Sequence, residues 1–183
     1  MKKSFLLPAL LPFLFAFTGK QVPDKAIPAT SFYYSRYLYA SNFGFHIPGN
    51  AVINGITLDI QRQPEGSSTA QDSIVRLVKE NNPSGSNRAN HAPWPLNPAF
   101  ATYGSPGDLW GCAWTAHDIN AASFGVYFSA SNVDGDVSVN PNPNTIRITI
   151  DYTLPDGSHH FISAFPASLH VRQAESLLPT ALS

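Results

Sequence analysis

Two runs of strict alternation constrain this chain more than any other feature. Ile56, Leu58 and Ile60 alternate with Thr57, Asp59 and Gln61, and Ile146, Ile148, Ile150 and Tyr152 alternate with Arg147, Thr149 and Asp151. Successive side chains on a strand point to opposite faces, so each run makes a strand with one dry and one wet face. Turn-forming clusters bound such runs: Pro48-Gly49-Asn50, Pro64 to Thr69, Asn81 to Asn87 and Pro155-Asp156-Gly157. With 16 Pro and 12 Gly recurring between short apolar segments, the chain is punctuated for many short strands and not for long helices. The expected fold is all-β: one antiparallel β-sandwich, jelly-roll-like, of about eight strands with one short helical turn.

Further strands are expected at the aromatic-rich Phe32 to Ala40, at Asp72 to Glu80 with Val75 and Leu77 inward, at Phe124 to Ser129 and at His159 to Phe165. Phe43, Phe45 and Ile47 alternate as well. Asp134-Gly135 marks a hairpin turn over 132–136, with Val137 and Val139 starting the return strand. His91 to Thr102 is irregular, and Tyr103 to Gly107 reads as a tight turn. Prolines on both sides hold Trp94 extended, which makes it the aromatic most expected to be exposed.

The N-terminus has a basic start (Lys2, Lys3), an apolar run to Phe17 and a small-residue exit at Thr18-Gly19. That is the pattern of a secretory signal peptide, expected over 1–19. An uncleaved anchor is the alternative, although Pro8 and Pro12 break the run. A linker is expected over 20–31, the sandwich over 32–165 and a C-terminal tail over 166–183. The mature form is not expected to span a membrane, and it is expected to be secreted or held at the cell surface.

Charge argues against nucleic acid. The whole chain carries 11 basic and 12 acidic groups, and without Lys2 and Lys3 the balance is 9 against 12, near −3. Counterion release needs clustered Lys and Arg, whereas Arg36, Arg62, Arg76, Arg88, Arg147 and Arg172 are scattered. The single Cys112 forms no intramolecular disulfide and reads as a small buried residue.

The stretch from Asp108 to Asn120 concentrates the chain's chemistry: Trp110, Trp114, Cys112, His117, Asp108 and Asp118. Thr115 is placed to cap a helical turn, with Asp118 as the carboxylate of a capping-box variant. Ala101 to Gly104, Asp108-Leu109-Trp110-Gly111, Trp114-Thr115, Asp118-Ile119-Asn120 and Phe124-Gly125-Val126 form a pattern, with Phe43-Gly44-Phe45, Ile47-Pro48, Ile53 to Gln61 and Val75 to Lys79 before it. Together these residues, covering roughly 32–153, resemble a β-sandwich module of secreted bacterial surface proteins and phage structural proteins. The resemblance implies a place beside binding or adhesion modules and transfers no catalytic residue. The chain departs from the pattern at Cys112 and in a short segment before Tyr33. Loss of a first strand there would uncover a sheet edge open to self-association.

No catalytic constellation emerges. Asp108 and Asp118 could be a glycosidase pair, but a turn residue and a cap account for them. Asn132, Asp134 and Asp136 lack the terminal Glu of an EF-hand. Adjacent His159 and His160 point to opposite faces of a strand, which disfavours a chelate. No Gly-x-Ser-x-Gly elbow exists. No metal or cofactor is expected. Trp110, Trp114, Thr115 and Asp118 are expected to be structural, while Trp94, Tyr37, Tyr39 and Tyr103 are the candidates for ligand contact. The expected function is a non-enzymatic extracellular binding or adhesion module, with carbohydrate or a surface protein as partner. The alternatives are a self-associating structural subunit and, last, a glycan-active enzyme.

Overall fold

The computed structural model describes residues 33–64, 69–132 and 145–172. The segments expected to be a signal peptide and a linker, part of the 64–69 loop, the turn and return strand expected after Asn132, and the chain after Arg172 lie outside the described residues.

The molecule is an antiparallel β-sandwich. Its elements are β1 (Tyr33–Tyr34), β2 (Tyr37–Ser41), β3 (Val52–Arg62), β4 (Gln71–Lys79), β5 (Asn82–Ser84), β6 (Ala99–Ser105), α1 (Ala116–Asn120), β7 (Gly125–Asn132), β8 (Ile146–Thr153), β9 (His159–Ala164) and β10 (Ser168–Arg172). One sheet runs β10-β2-β7-β4-β5, with β1 also on β7, and the other runs β6-β3-β8-β9. From β2 to β4, and again from β6 to β8, the chain passes from sheet to sheet with each strand. Among the described residues no helix is long and apolar enough to cross a membrane.

The alternating runs form the central pair of the second sheet. Ile56, Leu58 and Ile60 of β3 face Ile150, Ile148 and Ile146 of β8 in register. All six are buried against Leu38, Ala40, Val75, Leu77, Val126 and Phe128 of the other sheet. Burying each such side chain contributes about 1.5–3 kcal/mol, so this interface dominates the stability. The wet face is drier than alternation suggests. Asp59 and Asp151 are buried on it, Asp59 under an ion pair with Arg147 and Asp151 in contact with His159 Nε2, both at 2.8 Å.

Four segments differ from expectation, each for a local reason. Phe32 to Ala40 is split into β1 and β2, because the Ser35 hydroxyl accepts the Ala130 N–H at 2.9 Å in place of a ladder bond. Phe43, Phe45 and Ile47 are buried in alternation, but among the described residues no strand pairs with them. Instead the Asn120 side-chain amide takes both backbone groups of Ile47, each at 2.8 Å. Ala99 to Ser105 forms β6, so Ala99 to Thr102 is a strand and not irregular, and Tyr103 to Ser105 is not a turn; the turn lies at Pro106-Gly107. Residues 168–172, placed in the C-terminal tail by the sequence pattern, form β10 along β2.

Candidate functional site

The stretch from Asp108 to Asn120 is a plug between the sheets. Asp108 Oδ1 accepts the Trp110 N–H and an Arg88 N–H, both at 2.7 Å. Trp110 is fully buried, and its indole N–H donates to the Ile56 carbonyl at 2.8 Å. Gly104 makes room for that ring: it sits at φ +70°, and a Cβ there would lie 2.6 Å from Trp110 Nε1. Trp114 packs edge-on against Phe124 and donates to the Leu109 carbonyl at 3.0 Å. Thr115 and Asp118 form the capping box of α1. Asp118 also meets Lys79 Nζ at 2.8 Å. Burial opposes the charge of Asp118, yet hydrogen bonds from Lys79 and Thr115 outweigh it and hold the carboxyl below its ordinary value. The hydrogen bond to Asp118 in turn raises Lys79. Cys112 is half-buried in this plug. Asp108 and Asp118 thus hold backbone and cations in separate places.

A second centre, at Asp72, was not anticipated. The register of β4 on β7 shifts between Asp72 and Ile74, so Asp72 pairs with core-facing Ala130. A β-bulge re-aims one side chain in this way, and the Asp72 carboxylate turns into the sandwich, with no exposure. Four donors surround it. Arg62 Nη1 and the Trp94 indole reach Oδ1 at 2.8 Å each. The Tyr103 hydroxyl reaches Oδ2 at 2.8 Å, and the Asn90 N–H reaches it at 2.9 Å. Burial first, and then the charge of Asp72, push the Tyr103 hydroxyl far above its ordinary value, so it stays a neutral donor.

Trp94 is therefore buried and not exposed. Its N–H donates to the Ala70 carbonyl at 2.7 Å, and its ring stacks on Phe128 at 5.8 Å. The flanking prolines do keep the segment out of a ladder, but the extended strip lies back over the start of β4. Tyr103 is buried too. Tyr37 and Tyr39 lie elsewhere, on the outer face of the first sheet, where they pack on Tyr127. Tyr39 is buried, with its hydroxyl on the Ser123 carbonyl at 2.9 Å. The four aromatics expected at a ligand thus form no common surface. His159 pairs with Asp151 while His160 stacks on Tyr152, on opposite faces of β9. Among the described residues no three His, Cys, Asp or Glu side chains gather to hold a metal.

Beside Asp72 lies a cleft of about 330 Å³. Arg62, Arg88 and Asn90 line it together with Ala101 to Ser105 of β6 and Asp108. Its volume is at the lower end of the range for ligand pockets. Both guanidiniums are held in place. Arg62 pairs with Asp72 and lies over the Trp94 and Tyr103 rings, at 5.9 and 5.8 Å. Arg88 pairs with Asp108 and lies over Trp110 at 6.0 Å. The cleft thus joins the two centres, and its polar walls have little freedom to rearrange. A signal for it was available in the sequence. Arg62 continues the dry row Ile56, Leu58, Ile60, and a charge on a core-facing position demands a buried partner.

No family model matches the chain, and neither does any curated protein or solved structure.

Proposed function

We propose that this chain is an exported, non-enzymatic binding or adhesion module, and that the cleft at Arg62, Arg88 and Tyr103 takes a sugar. The observation that carries the reading is a small polar cleft whose two guanidiniums are each fixed by a carboxylate, Arg62 by the buried Asp72 and Arg88 by the part-exposed Asp108. Few, well-placed polar groups on a rigid scaffold are what a sugar-sized polar ligand requires. The resemblance to modules of bacterial surface proteins points the same way. Glycan-array binding by the full chain, reduced by Arg88→Ala, is the expected result. Arg88 is partly exposed and suits this purpose; Trp94 is buried, so its loss would damage the fold. Absence of binding to any glycan would remove this reading.

A second reading, self-association through a sheet edge, is favoured by β9. It ends the second sheet with β8 as its only described neighbour, and its own Phe161 is 65% exposed. Open edges pair with other chains. Light scattering at high concentration should then show dimers or larger species, and a monodisperse monomer would count against it.

A further inference from the structure

We infer that the cleft recognises the acid group of an anionic sugar, a carboxylate or a sulfate, through Arg62 and Arg88. This rests on the sugar-binding reading above and narrows its ligand class. The argument is a census of donors and acceptors around the cleft. Most carboxylate and amide oxygens of the wall are engaged within the protein; Asp108 Oδ2 is left over on a part-exposed side chain, its charge offset by the Arg88 pair. Both oxygens of Asp72 are taken by four donors. Asn90 Oδ1 accepts the Ala92 N–H at 3.0 Å. Asp108 Oδ1 accepts from both Arg88 and Trp110. The donors are in excess. A guanidinium carries five N–H groups, and each of these two is tied to its carboxylate through one terminal nitrogen. The Nε of Arg62 and the Nε of Arg88 are sealed inside without a partner, so the donors open to a ligand are the remaining terminal N–H groups, chiefly those of the more exposed Arg88.

An ionised carboxylate or sulfate is an acceptor-only group and matches a donor-rich wall. A neutral sugar hydroxyl is both donor and acceptor and gains less there. Planar guanidinium forks favour oxyacid groups in particular. The buried carboxylate of Asp72 holds Arg62 in position while presenting no surface of its own to repel an anion. Arg88, at 37% side-chain exposure, stands at the mouth of the cleft.

The test is calorimetric titration of the full chain with four probes: trigalacturonate, its methyl ester, a sulfated disaccharide and the unsulfated disaccharide. The acid or sulfated form should bind at least about tenfold tighter than its neutral counterpart, in keeping with charge-assisted hydrogen bonds. Arg88→Gln should remove that preference without changing the melting temperature by more than a few degrees. Arg62→Gln strands Asp72 and could unfold the chain, so Arg62→Lys serves as the second variant and should weaken the acid form selectively. Which anionic probe binds identifies the acid group. Equal affinity for charged and neutral forms, or a preference that survives Arg88→Gln, overturns the inference and leaves the sugar-binding reading standing. Silence from all four probes and from a glycan array overturns both.

Discussion

Two carboxylates fasten the two Trp-bearing loops of this sandwich, and they differ in how far along the chain they reach. Asp118 works mainly locally, with Lys79 of β4 as its one distant partner among the described residues. Its cap partner Thr115 is three residues away, and the helix it closes has five residues. Asp72 works at long range. Its donors come from positions 62, 90, 94 and 103, and they join the start of β4, the end of β3, the loop before β6 and β6 itself. Asp118 stands at the surface end of its loop, while Asp72 is sealed from water. The contrast predicts that the two differ in energy as well as span. A buried charge that loses its partner costs far more than a lost cap.

Asp72→Ala is the sharpest way to break the comparison. It leaves the largely buried Arg62 without its counter-charge and three further donors without an acceptor. Removing one partner of a buried ion pair costs about 3–5 kcal/mol. Urea denaturation should show a loss in that range; a loss below about 1 kcal/mol would mean that water, not protein, satisfies these groups. Trp94→Phe is gentler. It keeps the stacking on Phe128 but removes the indole N–H that reaches Asp72. A loss of about 1–3 kcal/mol is expected from a buried acceptor deprived of one donor. Thr115→Ala should cost about 1 kcal/mol, the usual effect of a lost cap. If Thr115→Ala proved as damaging as Asp72→Ala, the distinction between local and long-range fastening would fail.

The same distinction explains what could be read from the residues alone. The capping box at Thr115 and Asp118 was legible because its partners lie within one turn of each other. So was the pairing face of β3 and β8, because period-two alternation is a local property. The Asp72 centre was not legible from local pattern. A single-residue shift between Asp72 and Ile74 turns the carboxylate from one face to the other, and a bulge leaves no signature in hydrophobic period. Trp94 was misplaced for the same reason. Its prolines describe the backbone conformation, whereas its burial depends on an acceptor 22 residues away. β10 was missed because it is a short edge strand, Ser-Leu-His-Val-Arg, with neither face cleanly apolar. Arg62 is the exception: its place at the end of a dry row could have announced the buried partner.

The smallest effect tests the local end of the comparison through pH. Hydrogen bonds from Lys79 and Thr115 hold Asp118 below the ordinary carboxylate value of 3.8, despite burial. A carboxyl lowered in the folded state takes up its proton more readily when unfolded. Its contribution is therefore present above pH 3.8 and is lost as pH falls from there through the folded value. Lys79 is raised above 10.5, chiefly by its hydrogen bond to Asp118, so its contribution is present below 10.5 and is lost as pH rises past it. Melting temperatures of the wild-type chain and Asp118→Asn, followed from pH 2 to pH 11, should differ most in the neutral range. The gap should close below pH 3.8 and narrow again above pH 10.5. Other acid-sensitive groups act on both proteins alike and drop out of the difference. A gap that stayed constant through the acid range would show that Asp118 acts as a neutral hydrogen-bonding group, and that the ion pair with Lys79 adds nothing to the cap.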